Sequence, residues 1–136
     1  MFKIVEKLCD SPIRMLVKPG VKIRCGVVVK LIDFNGDIVA DICDDGKSAF
    51  GITSNYCFNK TNAIIYNKYY MINIWSQRMV FRTTNFNKGS EYNPGTAIYT
   101  NKNGILTAEK YNDGICIARV ISGPGNGRNW MECLWL

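Results

Sequence analysis

The chain contains no histidine. That absence removes the commonest general base, the commonest neutral metal ligand and the usual charge switch near neutral pH. Its six cysteines, Cys9, Cys25, Cys43, Cys57, Cys116 and Cys133, include no C-x-x-C pair, so neither zinc-ribbon nor redox-motif spacing is present. No stretch approaches the roughly 18 apolar residues of a membrane span. The opening residues, MFKIVEKLCDSPIR, lack the apolar core of a secretory leader. The expectation is a chain made in a cytoplasm, with reduced thiols and no membrane partner. The Asn59-Lys60-Thr61 sequon then carries no glycan. Runs of Lys or Arg are also missing, which disfavours a nucleic-acid arm. Sustained helical periodicity, tandem repeats and low-complexity tracts are absent too.

What remains describes a small β protein. At 136 residues, 47% hydrophobic and 21% charged, the sequence fits one folded domain. Its net charge of +6 suits an acidic partner. Short apolar runs alternate with turn residues at intervals of about ten, the pattern of an all-β fold. VKIRCGVVVKLID (21–33) predicts a long strand, and Asn35-Gly36 a tight hairpin that returns it along DIVADIC (37–43). Residues 48–55 predict a strand with an interior glycine. Residues 71–86 predict a long strand or hairpin with Trp75, Met79 and Phe81 on one face and Arg78 and Arg82 on the other. Residues 96–101 and 105–110 form a second hairpin around Asn103-Gly104, and 115–122 predicts a strand of near-continuous apolar character. The architecture expected is a single compact antiparallel β-barrel or sandwich of about eight to ten short strands, with an irregular loop near 56–70 and an extended N-terminal segment, 1–14, as a possible arm.

The segment SGPGNGRNWMECLWL raises two questions. Its glycines (123–127) resemble a phosphate loop only superficially, since no Lys-Ser/Thr pair follows and the next residues are strand-like. They predict a connection between two antiparallel strands. The apolar run 130–136 predicts the strand that closes the barrel, burying Trp130, Leu134 and Trp135. Asp33, Asp37, Asp41, Asp44 and Asp45 lie close together but lack the spacing of a calcium loop. A serine or cysteine nucleophile would need Lys or an amino terminus as its base, and no spacing supplies one. The expectation is a protein without enzymatic activity, metal or cofactor. Aromatic and basic residues in and after the irregular stretch, Tyr56, Phe58, Lys60, Tyr66, Lys68, Tyr69, Arg78 and Arg82, are the candidate partner contacts, because interface centres favour Tyr and Arg.

The second half carries a family resemblance. RMVFRTTNF … YNPGTAIYTNKNGILTAEK … ICIARVISGP … MECLWL is similar to a pattern of tailed-phage capsid decoration (cement, head auxiliary) proteins. Pro94, Gly95, Thr96, Tyr99, Asn101, Gly104, Leu106, Thr107, Ala118, Val120, Leu134, Trp135 and Leu136 carry it here. PGVKIRCGVVVKLIDFNGDIV and SAFGITSN resemble the first half of such proteins more weakly. The resemblance implies a non-enzymatic virion protein on the outer capsid surface that stabilises the lattice. Its partners would be the major capsid protein and neighbouring copies of itself, a trimer being compatible with the family. Alternatives are a tail, neck or head-fibre component with a similar barrel, or a small nucleic-acid- or carbohydrate-binding β domain.

Overall fold

The computed structural model of the chain describes residues 1–7, 11–58, 71–76 and 78–136. Among these the protein is all-β, with thirteen strands and no helix. In chain order the strands are β1 (Phe2–Lys7), β2 (Ile13–Leu16), β3 (Lys22–Ile23), β4 (Val28–Phe34), β5 (Asp37–Ile42), β6 (Gly51–Thr53), β7 (Cys57–Phe58), β8 (Met71–Trp75), β9 (Met79–Thr83), β10 (Ala97–Thr100), β11 (Leu106–Thr107), β12 (Ala118–Ser122) and β13 (Met131–Trp135). They form a six-stranded sheet in the order β1-β9-β13-β12-β10-β11, a five-stranded sheet β2-β8-β6-β4-β5 and a two-stranded sheet β3-β7. Among the described residues the strand pairings are antiparallel. The architecture is a sandwich without a closed barrel. The edges of the five-stranded sheet meet at one parallel bridge, Val17 to Ala40, and a second bridge joins Phe86 to Leu106.

The strand number exceeds the about eight to ten expected because turns cut the long apolar runs. Residues 21–33 are two strands in different sheets, not one. Gly26 has φ +75°, and a Cβ there would lie 3.2 Å from Thr83 Oγ1 and 3.3 Å from Asn85 Cβ. Backbone of that hand turns the chain between β3 and β4, and a side chain there would force its neighbours to shift by a few tenths of an ångström. Residues 71–86 likewise divide between sheets: β8 belongs to the five-stranded sheet and β9 to the six-stranded one. Trp75, Met79 and Phe81 do share one core, since the two strands face each other across the sandwich. In the run 115–122 the strand begins only at Ala118. Ile115 is 57% exposed, and its N–H donates to Gly46 O at 3.0 Å.

Both Asn-Gly hairpins form. Asn35 (φ +51°) and Gly36 (φ +88°) make the two-residue turn between β4 and β5, the left-handed pair whose twist matches antiparallel strands. Asp33 Oδ1 accepts from Gly36 N–H at 2.9 Å. The 123–127 glycines end in a tight turn between β12 and β13, where Gly125 and Arg128 exchange backbone hydrogen bonds of 3.0 Å. The described strands near the start of the chain pair within it: β1 lies along β9, with a bulge between Ile4 and Glu6, and β2 lies along β8. β13 sits between β9 and β12 inside its sheet, where closure of a barrel was expected. Of the three residues expected to be buried, Trp135 is and the other two are not. Met131, Cys133 and Trp135 are buried, while Trp130 and Leu134 are only half-buried.

Two cores result. One lies between the large sheets and includes Val28, Ile52, Trp75, Phe81, Ile98, Leu106, Met131 and Trp135. The other includes Ile23, Val29, Ala40, Cys57, Ile72 and Ile74, and joins the five-stranded sheet to the small one. Adjacent residues Val28 and Val29 enter different cores, as strand alternation requires. Phe81 is fully buried and stacks on Phe2 with ring centroids 5.2 Å apart. Replacing Phe81 with Ala should cost about 3–5 kcal/mol, whereas Ile38→Ala, at a site 53% exposed, should stay within about 0.5 kcal/mol. Urea denaturation of the two variants checks both values, and deletion of 130–136 should leave no soluble folded protein.

Candidate docking surface

The inward residues of β9, β12 and β13 are buried, so the residues between them form the other face of the six-stranded sheet. Cross-strand register places them in rows. Lys3, Arg82, Glu132 and Ser122 lie side by side on β1, β9, β13 and β12. Glu6, Val80, Leu134, Arg119 and Ala97 form the next row, on β1, β9, β13, β12 and β10. Val5 and Ile121, the bulged residues of β1 and β12, are 40% and 43% exposed. The face therefore has an aliphatic middle, Val80 and Leu134, flanked by charge.

At one end the charges are organised around Trp130. The Arg82 guanidinium lies 4.4 Å from the Trp130 ring centroid, and that of Arg128 lies 5.1 Å from it. Arg82 Nε also donates to Glu132 Oε2 at 2.6 Å. Arg128 comes from the turn before β13, where its Nε donates to Gly125 O at 3.3 Å. Arg119 is exposed and donates to Gly95 O at 3.2 Å. Among the described residues neither Arg119 nor Arg128 has an ion-pair partner. Lys3 and Arg82 stand directly opposite each other, a like-charge register that disfavours the sheet.

Of the residues expected to make contacts, Lys60, Tyr66, Lys68 and Tyr69 lie outside the described residues. The remainder fall on separate elements. Tyr56 is 54% exposed beside β7, with Lys22 Nζ 5.7 Å from its ring centroid, and Phe58 is half-buried in β7. Arg78 is exposed in the connection from β8 to β9. Arg82 alone lies on the face just described. Arg119, Arg128 and Trp130 were missed by sequence reasoning. A period-2 reading of ARVIS would have set Arg119 and Ile121 apart from buried Ala118 and Val120.

The acidic cluster has structural uses. Lys18 and Asp41 pair at 3.5 Å, Lys30 and Asp44 at 2.7 Å. Asp45 accepts from Lys47 N–H and Ser48 N–H, both at 2.8 Å, and from the Ser48 hydroxyl at 2.6 Å. No group of three or more metal-ligating His, Cys, Asp or Glu occurs among the described residues. The Ser48 hydroxyl, then the Ser48 and Lys47 N–H groups, hold the Asp45 carboxyl far below the usual carboxylate range. That stability is complete above the unfolded value of about 3.9 and declines as pH falls from there toward the lower folded value. Asp45→Asn should therefore lower the melting temperature at pH 7 and flatten its fall below about pH 4. Thermal scans of both proteins across acid pH measure this.

The cysteines divide by environment. Burial, aided by the Asp45 charge, pushes the Cys43 thiol up to about 11. Burial, aided by Glu132, pushes Cys133 up to about 12, and burial also raises Cys57. Cys25 and Cys116, expected within apolar strands, stand instead beside a turn and before β12, and both are half-buried. Alkylation of the native protein near neutral pH, read by mass spectrometry, should mark Cys25 and Cys116 well before Cys43, Cys57 and Cys133, which need unfolding.

No protein-family model, curated protein or solved structure matches the chain.

Proposed function

We propose that the protein is a non-enzymatic virion component that binds the outer lattice of a tailed-phage capsid and stabilises it. The observation that carries this reading is the likeness of the second half to capsid decoration proteins, borne by Pro94, Gly95, Thr96, Asn101, Gly104, Leu106, Thr107, Ala118, Val120 and Trp135. Eight of these have a physical task in the fold. Gly95 turns the chain into β10 with φ +87°. Asn101 Oδ1 accepts from Asn103 N–H at 2.9 Å and Ile105 N–H at 3.1 Å, shaping the turn before β11. A Cβ at Gly104 would lie 2.6 Å from Val28 O, so that turn can pack closely on β4. Leu106, Thr107, Ala118, Val120 and Trp135 are buried.

Such a scaffold suits lattice binding, because many identical weak contacts add through multivalency. A chain of net charge +6 is also steered toward an acidic surface. The testing experiment mixes the purified protein with expanded, undecorated capsids of the phage that encodes it and images them. Saturable density at repeated lattice positions is expected, with greater resistance of the shell to heat. A bare shell, or density confined to tail or neck, overturns the reading.

A further inference from the structure

We propose that the outer face of the six-stranded sheet binds a carboxylate-bearing protein segment, with Arg119 and Arg128 taking its acidic side chains and Val80 and Leu134 seating an apolar one. The charge on this face selects the occupant. Lys3, Arg82, Arg119 and Arg128 outnumber Glu6 and Glu132. Glu132 is already engaged by Arg82; among the described residues the two remaining arginines hydrogen-bond backbone carbonyls and pair with no carboxylate, Arg128 also lying over the Trp130 ring. A guanidinium presents donors in a planar fork that matches a carboxylate. Incoming carboxylates would also relieve the repulsion between Lys3 and Arg82, which sit in direct register.

A second copy of the chain is a poor occupant, since apposing the face with itself doubles the excess of cations. A nucleic acid fits the charge but not the middle. Single strands are held by bases stacked on open aromatic faces, whereas Val80, Leu134 and Ile121 are aliphatic. The one tryptophan on this face, Trp130, already has two guanidinium groups against its ring. Arginine and tryptophan, both present on this face, are enriched at the centres of protein–protein interfaces.

The inference rests on the virion reading only for where such a partner would be found. Its test therefore uses no capsid. The isotope-labelled full chain is titrated at low salt with a short, end-blocked peptide of alternating Glu and Leu, and separately with a thymidine oligonucleotide of equal charge. The peptide should move the resonances of Val80, Arg119 and Leu134 and the Trp130 indole N–H. The pair Arg119→Glu and Arg128→Glu should weaken binding by about tenfold or more with the melting temperature kept. The proposal falls if the peptide leaves this face unmoved, if it moves Lys47, Lys102 or Lys110 instead, if the oligonucleotide binds the face more tightly, or if the reversed-charge variant binds as well as the parent. Capsid binding that survives those two substitutions would separate failure of this inference from failure of the virion reading.

Discussion

The five-stranded sheet supplies apolar side chains to two separate cores, and the arrangement of the other elements follows from that. Val28, Ile52 and Trp75 project into one core, while Val29, Ile72 and Ile74 project into the other. Alternation along β4 and β8 sends neighbouring residues to different cores. The two-stranded sheet covers one side with Ile23 and Cys57. The six-stranded sheet completes the other with Phe81, Ile98, Met131 and Trp135, and among the described residues no layer covers its own outer face. The open face is thus a consequence of where the apolar residues of β4, β6 and β8 point.

Electrostatics reinforces this division of labour. Asp33, Asp41, Asp44 and Asp45 are used within the fold, as a turn cap, two ion-pair partners and an acceptor for the 47–48 turn. The carboxylates are committed close to home, so the positive charge left over is free to act at a distance. Where it collects on the open sheet face, it does so beside aliphatic side chains, and the combination specifies more than charge alone would.

The sequence made the local features readable. Asn35-Gly36 and Asn103-Gly104 announce hairpins because turn chemistry depends on adjacent residues. Alternation around Phe81 separated core from surface correctly, so Arg82 could be placed outward from its neighbours alone. Features that need distant residues were not legible. Nothing within 71–86 says that β8 and β9 belong to different sheets; the partners that decide this are β6 for one and β1 and β13 for the other. The inward face of 130–136 was misjudged for a related reason. Trp130 and Leu134 are as apolar as Met131 and Cys133, and only register against β9 selects between them. Grouping Arg82, Arg128, Trp130 and Arg119 required three strands and a turn to be in place.

The connectivity also imposes an order on assembly. Every strand of the five-stranded sheet lies between Ile13 and Trp75, so that sheet has all its partners once β8 has been made. β1, although first in the chain, pairs with β9 and must wait until the whole five-stranded sheet has emerged. β9 in turn lacks its other neighbour until β13 appears. By chain order the partners of the five-stranded sheet come early and those of the six-stranded sheet late. During synthesis Val28, Ile52 and Trp75 emerge before the strands that complete their core. Long-range closure of this kind is slow, and the interval is when the growing chain is most open to aggregation.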